Sequence, residues 1–336
     1  MLEKPPIEDE KIIACLKDTY DLTVTEIEFL PIGHDSYAGV YRVRANGQVY
    51  FLKVKSVAVN ILSVMLPRYL KERGFEQIVA PLPTITYGIW GKVDDFTLLL
   101  YPFIEGHSGM KAGLSDAQWI AFGAILKRLH STQLPAGLLS RMPKEGFIPS
   151  PRWSAAAKQI QATVLDRVYE NPIEAQLAVF WRERHQEIGR IMDRAEELGR
   201  MLQRKSLDFV LCHADIHTNN LLIDMQGKLF VVDWDQPILA PKECDLLFVM
   251  VGAFVSDERH EELFFQGYGK VDIDPLVMTY YQYARVIEDL GSFGEQVFFM
   301  DGTDESKLDA LHWVNVMFGP GNIVASAYKW EQALSI

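Results

Sequence analysis

The chain has 336 residues, 49% of them hydrophobic and 11% aromatic, enough to bury a full core and too apolar for a disordered protein. A formal net charge of −12 argues against non-specific binding to nucleic acid or to an anionic membrane surface. The three cysteines, Cys15, Cys212 and Cys244, are odd in number and form no CxxC pair, which points to a reducing compartment without structural disulfide or zinc.

The first residues carry no basic, apolar leader, and the best candidate for a membrane span, 246–255, is too short to cross; a cytoplasmic protein is expected. Ile12, Ile13, Leu16 and Tyr20 recur at helical spacing, predicting a helix over 7–20. Strand-like runs follow at Val24–Leu30, 39–44 and 49–54, and Asn46-Gly47 between the last two is a two-residue hairpin signal. Lys53 stands inside the third run. Burying a bare ammonium is costly, so Lys53 is expected to face a cleft and an anion. Lys55, on the same face, keeps an edge-strand reading open. No acidic residue lies between Lys53 and Lys71, and Pro67 is expected to break or kink the helix there.

Residues 77–83 and 96–100 read as further strands around a turn holding Gly88 and Gly91. From Ser115 the period becomes helical. Ser115-x-x-Gln118 is a possible capping box, and Trp119, Phe122, Leu126 and Leu129 line one face. Residues 131–154 are Pro-rich and irregular. Two long, charge-laced helices are expected at about 155–169 and 174–203. Asp245 precedes an apolar run as an ordinary helix cap would. Residues 275–291 form a last long helix bearing Arg285, Glu288 and Asp289.

The stretch 211–235 carries the chemistry. Leu221-Leu222-Ile223 and Leu229-Phe230-Val231-Val232 are short apolar runs flanking Asp224-Met225-Gln226-Gly227-Lys228, which reads as a hairpin turn. Antiparallel pairing about Gln226 sets Asn220 opposite Val232 or Asp233, with Asp215 in the loop leading in. An amide oxygen and two carboxylates suit Mg²⁺, a hard cation that leaves room for phosphate oxygens. A rival is a transition-metal hydrolase built on the alternation His213-x-Asp215-x-His217, which a strand would point one way.

His213-Ala214-Asp215-Ile216-His217-Thr218-Asn219-Asn220 resembles the H-G-D-[LI]-H-x-G-N signature of the aminoglycoside phosphotransferase family, and Val232-Asp233-Trp234-Asp235 its I-D-W-[DE] loop. Ala214 and Asn219 stand where glycine is usual. The resemblance implies an α+β, two-lobed protein-kinase-like fold, with a small antiparallel-sheet N-lobe (1–104) and a larger, mainly helical C-lobe (105–336). It implies ATP (or GTP) and Mg²⁺ as cofactors, with Asp215 as catalytic base and Asn220 and Asp233 as metal ligands. Lys53 and Ser36, the latter in a turn where a kinase places its phosphate-covering loop, would meet phosphates. Tyr101, Phe103 and Ile104 would form the hinge against the purine. His213, His217 and Asp245 would brace the loop. In kinases a helix glutamate steadies the lysine; here Ile61 stands near that place, so another carboxylate such as Asp233 is expected to take over, or the helix to be shifted. The implied partners are the nucleotide and a small, cationic alcohol. Spectinomycin or another aminoglycoside is the first expectation, with choline, homoserine or a sugar as alternatives, and Asp235, Glu288 or Asp289 facing its charge. No nucleic acid or membrane partner is expected, and the protein would be a monomer or homodimer.

Overall fold

The computed structural model describes residues 4–32, 37–251 and 258–334. The chain runs through α1 (Asp9–Tyr20), β1 (Val24–Leu30), β2 (Ala38–Ala45), β3 (Gln48–Lys55), α2 (Leu62–Glu72), β4 (Gly91–Val93), β5 (Phe96–Pro102) and β6 (Gly106–Ser108). Next come α3 (Gly109–Ala112), α4 (Asp116–His130), α5 (Ala136–Leu139), α6 (Pro151–Thr163), α7 (Pro172–Glu183) and α8 (His185–Leu202). After β7 (Val210–Cys212), β8 (Leu221–Asp224), β9 (Leu229–Val231) and β10 (Ile238–Ala240), the chain ends in α9 (Glu243–Leu246), α10 (Glu258–Tyr268), α11 (Pro275–Phe298), α12 (Asp304–Met317) and α13 (Ile323–Ala333).

Local chemistry sets the first sheet. Asn46 and Gly47 take φ of 49° and 76°, the left-handed pair that closes a tight hairpin, and β2 and β3 zip from Ala45↔Gln48 to Ala38↔Lys55. The antiparallel order is β1-β2-β3-β5-β4. Alternation along the strands turns Tyr41, Val43, Leu52, Val54, Leu98 and Leu100 into one core with Ile12, Cys15 and Leu16 of α1. The opposite face of β3 carries Phe51, Lys53 and Lys55, paired to Tyr101, Leu99 and Thr97 of β5. Since β3 has a neighbour on each side, Lys55 is not an edge-strand lysine.

Four expectations are corrected. Residues 77–83 form no strand: Pro81 and Pro83 lack N–H donors, and among the described residues the segment pairs through the bridge of Ile78 to Val231 and the Leu82 N–H to Leu100 O (2.7 Å). Gly91 lies inside β4, and the turn to β5 falls at Asp94, φ 48°. The helix expected over 174–203 is two helices, α7 and α8, divided at Arg184, whose guanidinium lies 4.3 Å from the centre of the Phe180 ring. Pro67 does not break α2, which continues to Glu72. Arg68 ties α2 down instead, donating to the carbonyls of Pro81 (2.8 Å), Leu82 (2.6 Å) and Gly88 (3.3 Å). The capping box at α4 forms in both directions: Ser115 N–H donates to Gln118 Oε1 (2.9 Å) and Gln118 N–H to Ser115 Oγ (3.4 Å).

The chain divides into two compact units. The first comprises 1–125, 133–142 and 213–237, so the β8–β9 hairpin belongs with the five-stranded sheet's unit. There β6 pairs with β8 and β8 with β9. The second unit, 126–132, 143–212 and 238–336, is built around α11, whose Val277, Tyr280, Val286, Ile287, Leu290 and Val297 are buried. Among the described residues no helix is long and apolar enough to cross a membrane.

The β6–β8 contact depends on a missing side chain, because a Cβ on Gly106 would collide with the carbonyl of Ile223. Gly106→Ala is expected to cost about 3 kcal/mol, an overpacking penalty against backbone that cannot yield, measured by denaturant unfolding.

Candidate active site

The β8–β9 hairpin has the register expected from its turn. Asp224 Oδ1 accepts the N–H groups of Gln226 (2.9 Å) and Lys228 (2.8 Å), Gly227 takes φ 81°, and Leu221 pairs with Val231. The Val232 N–H then donates to Asn220 O (3.0 Å), setting the amide residue against the strand that leads to Asp233.

Upstream, residues 213–217 are irregular backbone leading into a 3-10 turn, Thr218–Asn220. His213 is fully buried against Trp234, ring centres 4.6 Å apart. Its Nδ1 accepts the Asp215 N–H (3.3 Å), so Nε2 is the donor to Val232 O (2.9 Å). His217 caps the turn, its Nδ1 accepting the Asn219 N–H (3.2 Å). Both imidazoles therefore fix loop geometry. This overturns the hydrolase alternative: no strand aligns His213, Asp215 and His217, and both nitrogens of His213 are spent on backbone.

Asp215 is the accessible carboxylate of the loop, its side chain 37% exposed. Asn220 Nδ2 donates to its carbonyl oxygen (2.7 Å) and to Oδ2 (3.2 Å), while His217 Nε2 stands 3.6 Å from Oδ1. Committing the amide nitrogen to Asp215 leaves Oδ1 of Asn220 as the atom that could meet a metal. With the Asp233 carboxylate on the next strand, it makes a hard-oxygen donor pair of the kind Mg²⁺ prefers.

The sheet supplies the positive charges. Lys53 Nζ donates to Asp233 Oδ1 (2.8 Å) and Asp235 Oδ2 (2.9 Å), and Lys55 Nζ donates to the same Asp235 oxygen (2.6 Å). Carboxylates from the loop after β9 therefore hold Lys53, and α2, which begins at Leu62 just past Ile61, has no acidic residue in its first turn. Lys55 is the member of this charge cluster that the sequence does not single out. Its signal was the shared face of a period-two strand, whose central place in the sheet only the strand order reveals. Burial pushes the Asp235 carboxyl up, but the Lys53 and Lys55 ammonium groups outweigh it and bring it down to about 2.

At the expected hinge, Tyr101 closes the β3–β5 ladder opposite Phe51, their rings edge to face at 6.2 Å. Phe103 and Ile104 follow beyond the strand, and the Arg42 guanidinium lies 5.4 Å from the Phe103 ring centre. Ser36 lies outside the described residues. In the second unit, Asp245 sits inside α9 and not ahead of it, fully buried, 3.0 Å from His130 Nε2; His130 Nδ1 is 2.7 Å from the Tyr268 hydroxyl. Glu288 and Asp289 lie on α11, where Asp289 is ion-paired with Arg285 (2.9 Å).

Two expectations concern stability. Ala214 holds φ 72°, a left-handed conformation costly for a residue with a Cβ, whereas Asn219 sits in the 3-10 turn without positive φ. Ala214→Gly should therefore stabilise the fold by roughly 1 kcal/mol, the relieved strain less the added unfolded-state entropy, whereas Asn219→Gly should not. Asp235, depressed to about 2 in the fold, contributes stability that is present above the ordinary carboxylate range. About 2 kcal/mol of it should be lost as pH falls from about 4 to about 2, and this acid limb should flatten in Asp235→Asn.

The chain matches the profile of the phosphotransferase enzyme family over residues 28–280. Among solved structures, it is similar to spectinomycin phosphotransferase APH(9)-Ia in complex with ADP and spectinomycin, with 28% identity, a TM-score of 0.86, and coverage of 97% of this chain and 99% of that one. More distant likenesses in fold include the microcompartment-associated aminopropanol kinase (16% identity, TM-score 0.60, 97% and 98% coverage). Choline kinase LicA from Streptococcus pneumoniae is another (15% identity, TM-score 0.57, 92% and 97% coverage). No curated protein sequence matches the chain. The profile spans most of the chain, the fold is kinase-like, and the protein belongs to the phosphotransferase enzyme family as a small-molecule kinase.

Proposed function

We propose that this protein transfers the γ-phosphoryl group of ATP to a hydroxyl of a small cationic molecule, with spectinomycin or another aminoglycoside as the acceptor. The observation that carries this reading is the meeting of Asp215, Asn220, Asp233 and Lys53 in one compact unit, with the loop residues around Asp215 fixed by backbone bonds. Support for the acceptor comes from the near full-length likeness to an enzyme crystallised with ADP and spectinomycin, and from the chain's net charge of −12.

In this reading Asp215 orients the acceptor hydroxyl and takes its proton late in the transfer, the loose transition state needing positioning more than a strong base. Asn220 and His217 hold that carboxylate in place. Asn220 Oδ1 and Asp233 would hold Mg²⁺, which when bound neutralises charge on the transferring phosphoryl group. Lys53 meets the nucleotide's phosphates, and Ser36 is proposed to meet them too. Backbone groups at Tyr101, Phe103 and Ile104 receive the purine, a mode that leaves ATP and GTP both admissible. Glu288 would offer negative charge to a cationic acceptor, whereas Asp289 already has a cationic partner in Arg285. Asp235 is better assigned to the lysines than to the acceptor, because both ammonium groups already neutralise it. His213 and Asp245 act as structural supports, and the enzyme works in the cytoplasm as a monomer or homodimer, with lobes meeting near residue 105.

An ADP-release assay across aminoglycosides, spectinomycin, choline and homoserine tests the acceptor. Release with spectinomycin or an aminoglycoside is expected, and release with choline or homoserine alone would move the protein to the metabolite kinases. Asp215→Asn should lower kcat by about 10³-fold or more with nucleotide affinity kept. Undiminished turnover in that variant would remove Asp215 from the chemistry.

A further inference from the structure

The strand β3 brings two lysines onto one face, Lys53 and Lys55, each less than a tenth exposed. Two ammonium groups so placed need carboxylates, and the segment between β3 and the last turn of α2 offers none. The loop after β9 supplies both, Asp233 and Asp235, giving a cluster of two positive and two negative groups. The three bonds are not equivalent. Among the described residues Asp233 accepts from Lys53, whereas a single oxygen of Asp235 accepts from both lysines, at 2.9 and 2.6 Å.

This asymmetry matters under the reading given above, on which the inference rests. When a metal–nucleotide complex draws on Asp233, Lys53 keeps only one of these two carboxylates, Asp235. That side chain projects from a loop, and its shortest bond runs to Lys55, on a strand clamped between β2 and β5. We propose that Lys55 is a positioning residue for phosphoryl transfer: it pins Asp235 to the sheet, and Asp235 in turn holds Lys53 toward the phosphates. The pair replaces the helix glutamate that α2 lacks. Removing Lys55 costs Asp235 its anchor on the sheet, and with it the hold that Asp235 keeps on Lys53.

A double-mutant cycle on ADP binding with Mg²⁺, followed by calorimetry, tests the assignment. Lys55→Met should weaken MgADP by about tenfold, the scale of one charge-assisted hydrogen bond, while Lys55→Arg should stay within about threefold of wild type. If Lys55 acts through Asp235, the loss disappears in an Asp235→Asn background, where adding Lys55→Met changes affinity by less than about twofold. Should Lys55→Met not fold, Lys55→Gln, which keeps a donor without the charge, takes its place in the cycle. Binding by the single variant within twofold of wild type would overturn the proposal, as would an equal loss in both backgrounds. Wild-type protein that fails to bind MgADP would bring down the nucleotide-site reading and this assignment together, a result distinct from either.

Discussion

Two ammonium groups lie on an interior strand of the five-stranded sheet, and the local arrangement follows from neutralising them. Lys53 and Lys55 are each less than a tenth exposed, so each must reach an acid. The acids come from 180 residues away in sequence, at Asp233 and Asp235. The resulting bonds bring the loop after β9 to the sheet face that carries the lysines. They help explain why 213–237 groups with the N-terminal residues as one compact unit. A charge requirement in one strand thus fixes the place of the segment proposed to bear the chemistry.

Backbone bonding holds the rest of that segment. His213 spans from the Asp215 N–H to the carbonyl of Val232, and His217 caps the 3-10 turn that presents Asn220. Asn220 spends its amide nitrogen on Asp215 and its carbonyl on the hairpin. Each side chain near Asp215 thereby has a defined orientation before any ligand arrives, which is the economy expected where positioning supplies most of the rate. Ala214 in the left-handed region is the local cost of that geometry.

What could be read from the sequence divides by the range of the interaction. The Asn46-Gly47 hairpin, the turn from Asp224 to Lys228 and the capping box at Ser115 are settled within a few residues, and all three were legible. So was the pairing that sets Asn220 against Val232. The role of Lys55 was not, because it depends on which strand is central, a property of strand order. Nor was the division at Arg184, where neither glycine nor proline marks the break. Asp245 looked like a helix cap, since its partner His130 lies 115 residues earlier. Of the two positions where glycine was missing, only Ala214 needed it, and backbone torsion alone separates them.

The central claim is that Asn220 and Asp233 grip one divalent cation beside a nucleotide held by Lys53. Electron paramagnetic resonance of Mn²⁺ titrated with ADP reads this directly. One Mn²⁺ per chain should bind when nucleotide is present, and Asp233→Asn and Asn220→Ala should each abolish that binding. Mn²⁺ bound with undiminished affinity in both variants would contradict the account.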